Sequence, residues 1–304
     1  MPRFSVESKI TLLEKRVPAA LELLKDCTVC PRECRINRVE GKVSHCGVDA
    51  RLKVSSANLH HGEEPPISGP HGSGTIFLSG CNLKCVYCQN YPISQLRHGE
   101  YMSAGEVAEA MIRLQERGAH NINFVTPSHY VPQLMEAMLI ACRQGLELPI
   151  VYNSSGYDKV ETLETLDGIV EIYMPDMRYA GAENSVSYSS ADNYPEINRK
   201  AIMEMFRQVG DLQLDGMGVA MQGLLIRHLV LPNRISGSKE IFEFIANEVS
   251  AGTYVSLMSQ YFPAYEAYSI EILKRRLKRE EYKEALDAFE ESGLSNGYIQ
   301  PYWG

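Results

Sequence analysis

The chain has 304 residues, an apolar content of 44% and a formal net charge of −8. These values are typical of a globular protein with one large domain, or one domain and a small appendage. The acidic balance argues against general nucleic-acid binding. We find no run of 18 apolar residues and no apolar core in residues 1–9, so we expect neither a membrane span nor a secretory signal. The eight cysteines then favour metal ligands over disulfides, and a cytoplasmic location.

Residues 1–60 are predicted to form N-terminal helices and a cysteine-rich lobe. Apolar residues recur at helical spacing over residues 6–25, and Pro18 should divide that helix in two. A set of four cysteines at C-x2-C-x3-C-x11-C spacing follows: Cys27, Cys30, Cys34 and Cys46. Four thiolates complete a site for zinc or for an iron–sulfur cluster. Free thiols in a small folded lobe are the alternative.

Residues 51–58 alternate loosely and could form a strand, and residues 61–73 are predicted to be a linker rich in proline and glycine. The linker carries Glu63 and Glu64. Loops that retain adjacent carboxylates are candidates for catalysis. A solvated connector is an equally good interpretation of each residue.

From residue 74 onward, apolar runs alternate with helical patterns, which indicates a parallel sheet with crossover helices. The predicted strands are 75–78, 121–125, 149–152, 169–174, 224–231 and 253–258. The predicted helices are 103–117, 131–143, 158–166, 195–209 and 238–249, with C-terminal helices at 265–277 and 279–290. Six such units predict an α/β fold, a partial (β/α)6 barrel over residues 74–262. Residues 263–304 should pack on it.

The first predicted strand ends in three cysteines at C-x3-C-x2-C spacing, Cys81, Cys85 and Cys88. Three thiolates can hold three irons of a [4Fe–4S] cluster and leave the fourth iron open to a ligand. The polar neighbours Asn82 and Lys84 argue against a buried thiol cluster in the core, and half of a zinc site is the other alternative.

Polar side chains follow all six predicted strands, and the carboxyl ends of parallel strands meet at one mouth. This pattern is typical of a site for a polar small molecule. Arg227 and His228 are neighbours in one strand, so only one of them can face the barrel interior. His228 could equally be a core histidine. Asp176 and Arg178 could bind a ligand or pair with each other.

The three cysteines and the six β/α units resemble the radical S-adenosylmethionine (SAM) superfamily. Within it, residues 80–91, 63–69, 123–130 and 227–232 and the N-terminal cysteines resemble uncharacterised relatives of pyruvate formate-lyase activating enzyme. The resemblance implies a [4Fe–4S] cluster whose open iron binds SAM, and an electron donor such as flavodoxin or ferredoxin. It also implies reductive cleavage of SAM to a 5′-deoxyadenosyl radical.

The resemblance also implies SAM contacts at particular positions of this chain. They are Tyr87 near adenine, Thr126, Ser128 and His129 in the turn after the second strand, Asn153, Ser155, Asp176 and Arg178 for ribose and carboxylate, and His228 near SAM. The turn departs from the Gly-Gly-Glu of the activating enzymes. Glu63, Glu64 and His228 are the candidates for catalysis.

Three functions are compatible with the sequence. The first is hydrogen abstraction from a peptide or protein substrate, as in activating enzymes, and the second is the same chemistry on a small metabolite. The third is a non-catalytic iron–sulfur electron carrier or redox sensor. The open three-cysteine site and the polar strand ends favour an enzyme. The sequence predicts no role for Cys142.

Overall fold

The computed structural model describes residues 4–303. Its centre is a ten-stranded sheet in the order β10-β9-β8-β6-β5-β4-β2-β1-β3, with β7 paired to β8. The strands are β1 Leu52–His60, β2 Ser73–Leu78, β3 Glu100–Met102, β4 Ile122–Val125, β5 Ile150–Ser154, β6 Ile172–Pro175, β7 Gln213–Leu214, β8 Ala220–Leu229, β9 Tyr254–Met258 and β10 Gly297–Ile299. The predicted parallel series from β2 to β9 is confirmed, since each neighbouring pair in it is parallel.

Helices cover the outer face of this open barrel. They are α1 Val6–Glu22, α2 Pro65–Ser68, α3 Tyr91–Ser94, α4 Ala104–Glu116, α5 Val131–Arg143, α6 Val160–Glu164, α7 Ala182–Ser189, α8 Tyr194–Val209, α9 Ser238–Phe244 and α10 Arg279–Glu291. The predicted start of α4 is confirmed, because the Ser103 hydroxyl accepts from the Glu106 N–H while the Glu106 carboxylate accepts from the Ser103 N–H.

Two predictions about helices were wrong, and the predicted linker contains a short helix. Pro18 lies inside the single helix α1, which packs against α5 and buries Leu13 and Val17. This packing outweighs the cost of about 3 kcal/mol of an internal proline. Residues 265–277 form only a short 3-10 turn, Tyr265–Ser269. The segment 61–73 is not merely a linker, since it contains α2.

The short helix α2 closes the amino-terminal end of the barrel. Ile67 has no exposed surface and packs in a separate apolar cluster made largely of side chains that point into the barrel: Val151, Ile172, Met174, Leu212, Ala220 and Leu225. Hydrogen bonds tie α2 to the residues before it. The Ser68 hydroxyl accepts from the Glu63 N–H at 3.1 Å, and the Ile67 N–H donates to the Glu64 carbonyl at 2.8 Å. Hydrogen bonds therefore connect Glu63 and Glu64 directly to α2.

The N-terminal segment and the C-terminal tail both pack on the barrel. Lys9 of α1 forms an ion pair with Glu171 at 2.5 Å, and both side chains are buried. The tail adds β10 to β9 in parallel, so that β10 is one end of the sheet order. Within residues 4–303, the structure contains no helix with the length and apolar character of a membrane span.

Candidate active site

The three-cysteine loop follows β2 directly. Gly80 has φ of +83°, and a Cβ there would lie 2.7 Å from the Cys46 carbonyl oxygen, so the loop leaves the strand through a position that only glycine fits. The thiols of Cys81, Cys85 and Cys88 are all free of disulfides. The close approach of Gly80 to Cys46 places the loop against the N-terminal cysteine lobe.

Hydrogen-bond donors surround these sulfur atoms. The Leu83 N–H donates to Cys81 Sγ at 3.4 Å, and Ser189 Oγ and Arg178 Nη1 lie 3.0 and 3.2 Å from Cys85 Sγ. Burial, with a smaller contribution from Cys85, raises the pKa of the Cys81 thiol to about 12. Thiolate ligands would therefore form here with loss of protons as iron binds. Three free thiols with N–H and O–H donors on sulfur suit an iron–sulfur cluster.

The described residues contain no group of three or more histidine, cysteine, aspartate or glutamate side chains arranged to hold a single metal ion. The cysteines of a [4Fe–4S] cluster bind different irons, so they do not need to meet at one point.

A cavity of about 160 Å³ opens beside Cys88 at the carboxyl ends of the strands. Its walls are Tyr87, Cys88, Gln89, Asn90, Asp176, Arg178, Arg227, Leu229, Met258 and Gln260. The Tyr87 hydroxyl lies 2.6 Å from the Tyr179 hydroxyl, which is in turn 2.7 Å from Ser189 Oγ. Thus Tyr87, Asp176 and Arg178, three of the predicted SAM contacts, line one cavity next to the cysteine loop.

Asp176 is the centre of a charged network in this cavity. Its Oδ2 accepts from Arg178 Nη2 at 2.6 Å, and its Oδ1 accepts from Arg227 Nε at 3.0 Å. Burial acts to raise the pKa of Asp176, but the two guanidinium groups outweigh burial and hold it below its usual value. Arg227 also donates to Asn153 Oδ1 at 2.8 Å, which brings Asn153 into the network.

The structure places His228 away from this cavity. Its Nδ1 lies 2.8 Å from the Met177 carbonyl oxygen and its Nε2 lies 2.9 Å from Ser238 Oγ, while its ring contacts Phe242 of α9. Burial lowers the pKa of this fully buried ring to about 4, so it is neutral. Because neighbours in a strand point to opposite faces, Arg227 occupies the position in the site that the sequence analysis gave to His228.

The turn after β4 carries three of the predicted SAM contacts, Thr126, Ser128 and His129. Thr126 has φ of +63°, which is rare for a β-branched residue, and its N–H donates to the Asn153 carbonyl at 2.9 Å. Ser128 and His129 are buried, and His129 Nε2 lies 3.1 Å from the Ser79 carbonyl oxygen. Burial lowers the pKa of His129 to about 3. His129 therefore supports the backbone before the cysteine loop rather than lining the cavity.

Glu63 and Glu64, which a linker would expose, lie at the site. Their side chains are only 8% and 7% exposed, and the nearest atom of Arg227 is Nη1, at 3.7 and 3.9 Å. They line a cleft of about 440 Å³ with Pro65, Arg227, Ser256, Met258, Gln260 and residues 297–301. The cleft and the smaller cavity share Arg227, Met258 and Gln260 as walls, so the two spaces adjoin.

Burial raises the pKa of Glu63 to about 7, with Arg227 opposing the shift and Glu64 adding to it. Ser155 is buried at the end of β5, and its hydroxyl has no hydrogen-bond partner among the described residues. Ser189 could not be predicted from sequence, because nothing in the local pattern of α7 shows that its hydroxyl reaches Cys85.

The N-terminal cysteine lobe lies against the cysteine loop. Arg32 Nε donates to the Asn82 carbonyl at 2.9 Å, and the buried Arg38 donates to the His129 carbonyl at 2.7 Å. Cys27, Cys30 and Cys46 are buried and Cys34 is partly exposed, all as free thiols. Burial raises the pKa of Cys30 to about 12, and the other three thiols lie close enough to add to the shift.

An open parallel barrel with three free cysteines and a polar cavity at the carboxyl ends of its strands defines a class of iron–sulfur enzyme that binds a polar cofactor. The family model of the radical SAM superfamily matches residues 75–246. The chain belongs to the radical SAM superfamily and is therefore an enzyme that uses a [4Fe–4S] cluster and SAM.

The chain is also similar to individual known proteins. An uncharacterized protein of Methanocaldococcus jannaschii, MJ0674, is 31% identical over 94% of this chain and 80% of its own length. A second from the same organism, MJ0808, is 25% identical over 79% of this chain and 71% of its own length. Streptococcus suis SuiB bound to precursor peptide SuiA is similar in fold, with a TM-score of 0.50 and 14% identity over 73% of this chain and 46% of SuiB.

Proposed function

We propose that this enzyme abstracts a hydrogen atom from a peptide or protein substrate. The observation that carries the proposal is the cleft of about 440 Å³, one wall of which is β10. β10 is the terminal strand of the sheet order, so its outer edge pairs with no other strand in the part of the chain described. An extended peptide binds readily along such an edge. The fold of SuiB, to which this chain is similar, has been solved with a precursor peptide bound.

The residues of the smaller cavity would hold SAM. Cys81, Cys85 and Cys88 would hold the cluster, and Arg178 and Asp176 would offer SAM a cation and an anion in the adjoining cavity. Tyr87 offers an aromatic wall. When bound and reduced, the cluster and SAM supply the 5′-deoxyadenosyl radical. The protein contributes position, charge and exclusion of water.

Single-electron supply requires a partner, and we propose a flavodoxin or a ferredoxin. We also propose that Cys27, Cys30, Cys34 and Cys46 bind a second cluster or zinc, because all four thiols are free and the other three are close enough to Cys30 to shift its pKa. In the described part of the chain no three of them are arranged around one point, which favours a cluster, whose cysteines bind different irons, over a single zinc ion. Metal analysis of the anaerobically reconstituted protein checks this second site. The Cys30→Ser variant should lose one zinc or about four irons, and an unchanged metal content would refute the assignment.

Deuterium transfer tests the substrate. The reconstituted enzyme is incubated with SAM, a reductant and either a deuterated peptide library or a deuterated extract of small metabolites. We expect deuterium in 5′-deoxyadenosine with the peptides. Transfer from the metabolite extract alone would refute the peptide substrate and favour the second function.

A further inference from the structure

Two buried carboxylates at the inner end of the cleft have only weak partners. Amides face Glu63, whose Oε2 accepts from Asn153 Nδ2 at 3.5 Å with Asn123 beside it, and no cation donates to either glutamate within hydrogen-bond distance. Glu63 and Glu64 lie 3.7 and 3.9 Å from Arg227 Nη1, which is beyond hydrogen-bond distance. Glu64 Oε2 is buried and has no hydrogen-bond partner among residues 4–303. An uncompensated buried carboxylate is costly, so this end of the cleft favours a positive charge.

The arginines near these carboxylates are occupied elsewhere. Arg227 directs Nε to Asp176 at 3.0 Å and Nη2 to Asn153 at 2.8 Å. Arg178 is bonded to Asp176 and to Cys85. Both guanidinium groups therefore donate to Asp176. The cationic atom nearest to Glu63 and Glu64 is Arg227 Nη1, at 3.7 and 3.9 Å.

The rest of the cleft is uncharged. Beyond Glu63, Glu64 and Arg227 its walls are Gly62, Pro65, Ser256, Met258, Gln260 and residues 297–301. None of these carries a positive side chain that could neutralise the glutamates. An anionic group would meet two carboxylates there, whereas an ammonium or guanidinium group would supply the missing hydrogen-bond donors.

We infer that the cleft binds the cationic side chain of a lysine or arginine residue between Glu63 and Glu64. The inference rests on the proposed peptide substrate and narrows its class. Because the cleft and the cavity beside Cys88 share Arg227, Met258 and Gln260, a side chain anchored on the two glutamates lies next to the space assigned to SAM. The glutamates act as an anchor that decides which residue is presented.

A matched pair of probes tests the anchor. N-acetyl-lysine amide is compared with its isostere in which a methyl group replaces the ammonium, by calorimetry on the reconstituted enzyme with SAM. We expect the lysine probe to bind at least tenfold more tightly. The double variant Glu63→Gln, Glu64→Gln should lose this preference, and Glu196→Gln, an exposed glutamate of α8, should retain it. Equal binding of both probes to the wild-type enzyme would overturn the inference, even if the double variant failed to fold.

The outcomes separate this inference from the proposed function. Deuterium transfer from peptides that lack lysine and arginine, with no lysine preference in the calorimeter, would overturn the cationic anchor and support the peptide substrate. A lysine preference with deuterium transfer from metabolites alone would support the anchor on Glu63 and Glu64 and overturn the peptide substrate.

Discussion

Replacing Arg227 by methionine tests the charged network of the site. Arg227 donates to Asp176 and Asn153, and it is the nearest cation to Glu63 and Glu64. The variant leaves three buried carboxylates with Arg178 as their remaining cation. Removing one partner of a buried ion pair costs about 3–5 kcal/mol, because the other charge stays buried. We expect the free energy of unfolding to fall by this amount.

The thermal midpoint of the reconstituted protein, followed by circular dichroism without oxygen, measures the effect. One kcal/mol corresponds to roughly 2–4 °C for a chain of this class, so the midpoint should fall by roughly 6–20 °C. Arg113→Met is the matched control, since Arg113 pairs with Glu109 on the exposed face of α4. Such a pair contributes about 0.3–0.5 kcal/mol. Equal shifts in the two variants would refute the network.

Three further predictions concern the cluster, pH dependence and the N-terminal packing. Cys85→Ala should abolish the [4Fe–4S] absorbance of the main site and the formation of 5′-deoxyadenosine. The control Cys142→Ala, which removes a buried free thiol of α5, should preserve both. Preserved activity in Cys85→Ala would exclude Cys85 as a ligand. Since burial raises the pKa of Glu63 from 4.5 to about 7, the folded chain holds a proton that the unfolded chain has released between these values, and stability should fall as pH rises through this window. A Glu63→Gln variant should have a flatter pH profile of its thermal midpoint, and identical profiles would contradict the shift. Lys9→Met should lower the free energy of unfolding by about 3–5 kcal/mol, because it leaves Glu171 buried without its ion-pair partner. Adding Glu171→Leu should restore most of this loss. A loss below about 1 kcal/mol in thermal unfolding of Lys9→Met would show that the buried pair contributes little to stability.

The parallel sheet could be predicted from sequence because its strands are buried on both faces. Each is a short run of apolar residues between helical patterns, such as β4 Ile122–Val125 before α5 Val131–Arg143. The cysteine loop could be predicted because its ligands are close together in the chain. Both features depend on local spacing alone.

The site network depends on contacts between distant residues, which local spacing does not record. Alternation shows that one of Arg227 and His228 faces inward, but the register of β8 decides which one. Glu63 and Glu64 lie in a segment rich in proline and glycine, and only the burial of Ile67 at the floor of the barrel shows that this segment enters the interior. The prediction that Pro18 divides the first helix was wrong, because the packing of α1 on α5 outweighs the low helix propensity of proline.

Helix α2, which closes the barrel, is joined by hydrogen bonds to Glu63 and Glu64. Ser68 and Ile67 bond to the backbone of Glu63 and Glu64, and Gly69, at φ of +49°, is hemmed in by His120, where a Cβ would lie 2.6 Å from its ring. A change in the tilt of α2 would therefore also shift the carboxylates of Glu63 and Glu64. If Glu63 and Glu64 bind the cationic side chain that we infer, repacking around Ile67 should therefore change the preference for that side chain and leave the cysteine loop in place.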